Sequence, residues 1–178
     1  MQQPIVISGA GILGCYISCA LSLQGIDSIV LEKKDDEVED SVRTITLNPF
    51  SKNLLDKIGI ENDYSMINKM EVKDFDGTGK IVFKSSEIGM NHLAYVSDFA
   101  ALLMAVRKKA SEKILYKEEI IDIDNKGDLN KVTLSSGKVI KTNLIISSDG
   151  KNSKLANKIP KSDKDYFQTA LTFLASAE

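Results

Sequence analysis

The sequence predicts an α/β fold in which a parallel strand–helix–strand unit is followed by antiparallel strands. Three observations predict it. A short apolar run, Ile5-Val6-Ile7-Ser8, leads into a glycine-rich turn and then into a helical pattern, as a buried parallel strand feeding a crossover helix does. From Met70 the apolar period falls toward two, the spacing of half-exposed strands. Beyond Glu119, strand-like segments follow one another with short turns at Lys126-Gly127-Asp128 and Ser136-Gly137, which makes a small meander. The 178 residues, 43% of them hydrophobic, bury about 70% of their unfolded surface, so folding needs neither a disulfide framework nor a structural metal.

Each element has its own local reason. The first strand is Ile5-Val6-Ile7-Ser8. Residues 12–24 form the helix, which Gly25 stops because glycine accepts the left-handed conformation that ends helices. Ser28-Ile29-Val30-Leu31 is the second buried strand and terminates on Glu32. Residues 33–40 are a solvated connection, with Asp35-Asp36-Glu37 and Glu39-Asp40 on its surface. Residues 49–58 form a helix that begins at Pro49, carries Leu54, Leu55 and Ile58 on one face and stops at Gly59. Met70-Glu71-Val72-Lys73-Asp74 and Ile81-Val82-Phe83 flank Asp76-Gly77-Thr78-Gly79 as a hairpin. A strand at 93–96 precedes a helix at about 97–109 with Leu102, Leu103 and Val106 inward. Strands at 119–123, 131–135 and 139–146 complete the meander. No repeat, low-complexity tract or linker marks an internal boundary.

Charge and composition exclude several functions. A net charge of -2 gives no single-sign field for capturing nucleic acid, and Arg43 and Arg107 are the only arginines, leaving few bidentate forks for phosphates. Residues 4–26 carry no charge, but the chain starts without the basic residues of a signal peptide, and Gly9, Gly11 and Gly14 interrupt any membrane span. The expected protein is therefore cytoplasmic and has no transmembrane segment, with peripheral association at the inner membrane left open. Cys15 and Cys19, four apart on one helix, read as small buried thiols. Asp122-Ile123-Asp124-Asn125-Lys126-Gly127 imitates the start of a calcium loop, yet Lys126 stands where an oxygen ligand is required and Thr133 where a bidentate glutamate is. No metal site is expected.

The chemistry is carried by Gly9-Ala10-Gly11-Ile12-Leu13-Gly14, placed where the first strand ends and the helix begins. Gly9 permits the tight turn, Gly11 lets the backbone approach a pyrophosphate, and Gly14 lets the helix pack closely on the strands. The helix N-terminus offers free N–H groups and partial positive charge. Glu32, eighteen residues after Gly14, is placed to accept hydrogen bonds from an adenosine ribose and disfavours a 2′-phosphate. The ligand this pattern predicts is a dinucleotide containing ADP, in a Rossmann-like FAD/NAD(P)-binding βαβ unit. Between NAD and FAD the pattern does not choose.

Two further segments favour FAD. The run Arg43-Thr44-Ile45-Thr46-Leu47, with Ser51 and Leu54-Leu55-Asp56-Lys57-Ile58-Gly59-Ile60, resembles the segment after the second strand in flavin-dependent aromatic hydroxylases. Leu144-Ile145-Ile146-Ser147-Ser148-Asp149-Gly150-Lys151-Asn152-Ser153 resembles that family's second signature, a strand followed by Asp-Gly and a serine. The likeness covers essentially the whole chain and is nearest the ubiquinone-biosynthesis hydroxylases of the UbiH type, in the p-hydroxybenzoate hydroxylase class. Leu93-Ala94-Tyr95-Val96 and Asp165-Tyr166-Phe167-Gln168-Thr169-Ala170 are further landmarks of it.

The resemblance implies hydroxylation of an aromatic quinone precursor, with FAD as cofactor and NAD(P)H as reductant. O₂ adds to the reduced flavin, and one oxygen atom passes to the ring. It also implies that Arg43 reaches the flavin cofactor, and that Asp149 and Gly150 lie near the pyrophosphate side and serve flavin and nicotinamide alike. With Gly9, Gly11, Leu13, Gly14 and Glu32 these are the candidate cofactor-binding residues. No catalytic residue is assigned.

The chain also departs from the family. Ser147 and Ser148 replace the usual Gly and Ala, Ala156 stands where an arginine is common, and Asp98 and Phe99 occupy a position where another arginine is common. No third signature, Gly-Asp, follows Gly150. Residues 1–178 are therefore expected to be a FAD-binding region, with 62–97 and 165–178 as incomplete elements of a substrate domain. On that expectation a separately encoded C-terminal half is the partner left open. The alternatives are a truncated, catalytically silent nucleotide-binding fragment and a small NAD-binding domain. His92, the single histidine, has no partner at informative spacing and, like Tyr95 and Tyr166, reads as a packing residue.

Overall fold

The computed structural model describes residues 3–38, 42–74, 77–150, 153, 155 and 167–169. Glu39-Asp40 of the acidic loop, Asp76 of the hairpin turn, Lys151-Asn152, Ala156 and Tyr166 lie outside the described residues, as does 165–178 apart from 167–169. Two compact units are present, one made of Met1–Glu39 and Leu103–Glu178, the other of Asp40–Leu102. In chain order the elements are β1 (Ile5–Ser8), α1 (Ile12–Leu23), β2 (Ser28–Glu32), β3 (Thr44–Leu47), α2 (Pro49–Lys57), β4 (Ser65–Ile67), β5 (Lys69–Lys73) and β6 (Lys80–Lys84). Then come β7 (Ala94–Asp98), α3 (Phe99–Ala110), β8 (Ile114–Tyr116), β9 (Ile120–Asp124), β10 (Asn130–Leu134), β11 (Val139–Thr142) and β12 (Ile145–Ser147).

The first unit holds a four-stranded parallel sheet in the order β12-β1-β2-β8. Side chains alternate across a strand, and the alternation divides two layers of packing. Val6, Ile29, Leu31, Leu115 and Ile145 point to one face and join Ile120, Val132, Leu134 and Ile140 in a single core. The antiparallel meander β9-β10-β11 therefore covers that face. Ile7 and Val30, fully buried, point to the other. Helix α1 packs on β1 and β2 through Gly14, Cys15, Ser18 and Cys19, residues small enough to bring the helix axis close. Ser18 and Ser28 share a buried hydrogen bond of 2.8 Å between helix and strand.

The second unit holds the antiparallel sheet β3-β7-β4 and a two-stranded ribbon, β5-β6. Helix α2 packs on β3 and β7. Asn48 caps it by accepting from Ser51 N–H at 2.7 Å, and Pro49 takes the first helical position, where its missing N–H has no consequence.

Two segments differ from their expected form. Ser97 and Asp98 belong to β7, so the helix starts at Phe99, and Asp98 caps its first turn by accepting from Ala101 N–H at 2.7 Å. Residues 139–146 form two strands in two different sheets. The chain turns between them where the Thr142 hydroxyl donates to the Leu144 carbonyl at 2.8 Å and accepts from the Leu144 N–H at 3.2 Å. Among the described residues no helix is long and apolar enough to cross a membrane.

Candidate functional site

The site is built at the C-terminal ends of β1, β2 and β12, three strands aligned in register. Gly9 leaves β1 with φ +98, in the left-handed region where only glycine is at ease. A Cβ there would lie 2.7 Å from the Ser148 carbonyl oxygen and 2.8 Å from Asp149 Cα. Gly9 thus does more than turn the chain, because it also lets the end of β12 approach the loop. At Gly14 a Cβ would fall onto the Gly9 carbonyl, well inside contact distance. This is the close helix-to-strand packing expected of the last glycine in the motif.

Gly11 is different. Among the described residues, no heavy atom beyond its own chain neighbours lies within 4 Å of the position its Cβ would take. It is the N-cap of α1 and supplies no side-chain hydrogen bond to the first turn, which carries no acidic residue. The first N–H groups of a helix have no intrahelical acceptor, so donors and positive partial charge meet open space here. An anion of phosphate type fits that combination. Leu13, in the same turn, is 61% exposed.

Glu32 ends β2 with its carboxylate already oriented. Oε2 accepts from Ala10 N–H at 3.0 Å and faces Arg107 Nη2 at 3.5 Å, while Oε1 accepts from Lys34 N–H at 3.0 Å. Arg107 Nε donates to the Ala10 carbonyl at 2.9 Å. Both side chains are nearly buried, 11% exposed for Arg107 and 12% for Glu32. A carboxylate offers about four lone-pair sites, and with these three donors in place Glu32 retains capacity for one ribose hydroxyl.

The Asp-Gly element forms a compact turn. Ser147 Oγ donates to Asp149 Oδ1 at 2.7 Å and lies 2.8 Å from Ser153 Oγ. Because Ser147 has one hydroxyl proton and gives it to the carboxylate, Ser153 is the donor in the second bond. Gly150 has φ +78, and its carbonyl accepts from Ser153 N–H at 3.1 Å. Ser148 faces the other way, sharing its one hydroxyl proton between the carbonyls of Ser8 and Gly9 at 2.8 and 3.0 Å.

The first unit therefore brings together Gly9, Gly11, Leu13, Gly14, Glu32, Asp149 and Gly150. Arg43 belongs to the second unit, where its guanidinium lies 4.2 Å from the centre of the Phe99 ring. His92 Nδ1 pairs with Asn68 Oδ1 at 2.6 Å, and its ring meets Tyr95 edge-on. Cys15 and Cys19 are buried free thiols. Burial pushes the Cys15 pKa up to about 12, so it offers no thiolate at neutral pH. Among the described residues, no group of three or more His, Cys, Asp or Glu could hold a metal ion.

Two further residues, Arg107 and Ser148, take part in the site through tertiary contacts alone. Their contacts span 97 and 139 residues, and no local pattern announces them.

Residues 2–175 match the model of a family described as FAD binding domain. The ubiquinone biosynthesis monooxygenase COQ6 of Danio rerio, a mitochondrial protein, is 26% identical over 94% of this chain and 40% of its own length. The 3-demethoxyubiquinol 3-hydroxylase of Escherichia coli K12 is 26% identical over 86% of this chain and 43% of its own length. The chain thus spans less than half the length of these curated relatives. Among solved structures, PqsL of Pseudomonas aeruginosa, described as a probable FAD-dependent monooxygenase, superposes with a TM-score of 0.77 at 19% identity, covering 93% of this chain and 48% of PqsL. That likeness is one of fold. The match across residues 2–175, on a glycine loop and carboxylate arranged as above, identifies the chain as a member of the FAD binding domain family.

Proposed function

We propose that this chain is the FAD-binding part of a flavin-dependent monooxygenase that hydroxylates an aromatic quinone precursor with NAD(P)H and O₂. The observation that carries the reading is the uncapped N-terminus of α1 at Gly11, opening onto free space beside a pre-oriented Glu32 carboxylate. The names of the two ubiquinone-pathway relatives support the substrate class. The overall reaction balances as ring C–H, O₂, NAD(P)H and a proton giving ring C–OH, water and NAD(P)⁺.

Bound FAD supplies the redox chemistry and the activation of O₂. The chain's own residues bind and orient it. The backbone of Gly9, Gly11, Leu13 and Gly14 would hold the pyrophosphate at the helix N-terminus, and Glu32 would accept from the adenosine ribose. By the family resemblance, Arg43 would reach the flavin cofactor. Asp149, oriented by Ser147, and Gly150 border the pyrophosphate. Residues 62–97 contribute to the substrate side. A direct test follows NAD(P)H oxidation and product mass with a demethoxylated quinone precursor. Hydroxylated product formed in proportion to NAD(P)H consumed supports the reading, and a chain that binds no FAD and forms no product counts against it.

A further inference from the structure

The Ala10–Gly11 peptide is gripped from one side. Its carbonyl accepts from Arg107 Nε at 2.9 Å, and the same guanidinium reaches Glu32 Oε2, which also takes the Ala10 N–H at 3.0 Å. These contacts close a ring through Ala10, Glu32 and Arg107. A peptide unit is planar and trans, so fixing the Ala10 carbonyl fixes the Gly11 N–H in the opposite direction. Were this peptide free to turn over, a carbonyl oxygen would replace a donor in the loop, and an anion would meet like partial charge. Gly11 gives the backbone little resistance to turning. Arg107 comes from α3, a separate element, is 11% exposed, and lies over the Tyr116 ring at 5.7 Å. Its orientation is therefore held from outside the loop.

We propose that Arg107 is a positioning residue for the ADP half of FAD, setting the Gly11 N–H for the pyrophosphate and the Glu32 carboxylate for the ribose through one guanidinium. This rests on the FAD reading above. Arginine suits the task because its planar fork addresses two acceptors at once, whereas a lysine ammonium is a point charge. Arg107→Lys should keep the charge near Glu32 and lose the simultaneous hold on the Ala10 carbonyl. Arg107→Met should lose both.

The test measures binding of FAD, ADP, 2′,3′-dideoxy-ADP and FMN to the full chain and to both variants, with melting curves to confirm folding. In the unaltered chain ADP should bind more tightly than its dideoxy analogue. Arg107→Met should weaken FAD and ADP by about 10-fold or more and abolish the preference for ADP over dideoxy-ADP. FMN, which has a phosphate but no adenosine ribose, should lose less affinity than FAD in every variant. Arg107→Lys should fall between, and it supplies the answer if Arg107→Met does not fold. A purely structural role would lower all affinities together and leave the ribose preference intact, which would overturn the proposal. Equal FAD and ADP binding in folded variants would overturn it as well while leaving the FAD reading standing. Failure of the unaltered chain to bind FAD or ADP would remove both.

Discussion

Ser148, just beyond the end of β12, donates its hydroxyl to the Gly9 carbonyl at 3.0 Å, across 139 residues of chain. The same hydroxyl reaches the Ser8 carbonyl at 2.8 Å, so the last residue of β1 and the first glycine of the loop are braced by the third strand of the site. Ser148→Ala removes the brace and leaves backbone contacts in place. It should destabilise the chain by about 1 kcal/mol, read as a lower urea midpoint at unchanged slope.

Gly11 and Gly14, three residues apart, should respond oppositely to the same substitution. Gly11→Ala adds a methyl group to open space at φ -73, an ordinary backbone angle. Its stability should stay within about 0.5 kcal/mol of the parent, while FAD affinity falls about 10-fold because the methyl occupies the approach to the pyrophosphate. Gly14→Ala drives a Cβ into the Gly9 carbonyl, and backbone cannot yield as a flexible side chain can. That variant should lose about 3 kcal/mol of stability, measured by thermal or urea unfolding without any ligand.

Glu32→Gln preserves shape and removes the negative charge facing Arg107. The guanidinium, 11% exposed, then has a neutral amide as its partner. A loss of about 1.5–3 kcal/mol in stability is expected, together with weaker binding of FAD and an unchanged affinity for FMN. Titration of the two flavins side by side checks it.

Cys15 makes stability depend on alkaline pH. Its folded pKa is raised by burial from 9.0 to about 12, so between those values the unfolded chain has lost a proton that the folded chain retains. Its contribution is fully present below about pH 9 and declines as pH rises toward 12. Unfolding free energies measured across that window should fall, and in Cys15→Ala the fall should be smaller. At pH 8 the thiol should resist alkylation until the protein is unfolded.

The parts of the fold legible in the sequence are those whose cause is local. The strand before Gly9, the helix after it, its stop at Gly25 and the strand ending on Glu32 all follow from short-range pattern, as does the start of α2 at Pro49. What escaped notice lacks a local cause. Strand β8 is three residues long, Ile114–Tyr116, too short to show a period, and it is a strand because β2 offers it a parallel partner. The break between β11 and β12 depends on one threonine hydroxyl folding back onto Leu144. The glycine loop and Glu32 could be found from spacing, but the grip of Arg107 on Ala10 is a tertiary contact spanning 97 residues. The second crossing between the two units falls inside α3, between Leu102 and Leu103, where an unbroken helical pattern gives no sign of it.

FAD retention by the glycine loop and Glu32 is open to direct measurement. Its most direct measurement is titration of FAD against the purified chain, following flavin fluorescence and the flavin retained after gel filtration, with NAD titrated in parallel. Saturable fluorescence quenching, retained flavin and FAD binding tighter than NAD are expected. A chain with no bound FAD and no quenching of added FAD, or with NAD bound more tightly, would contradict the FAD reading.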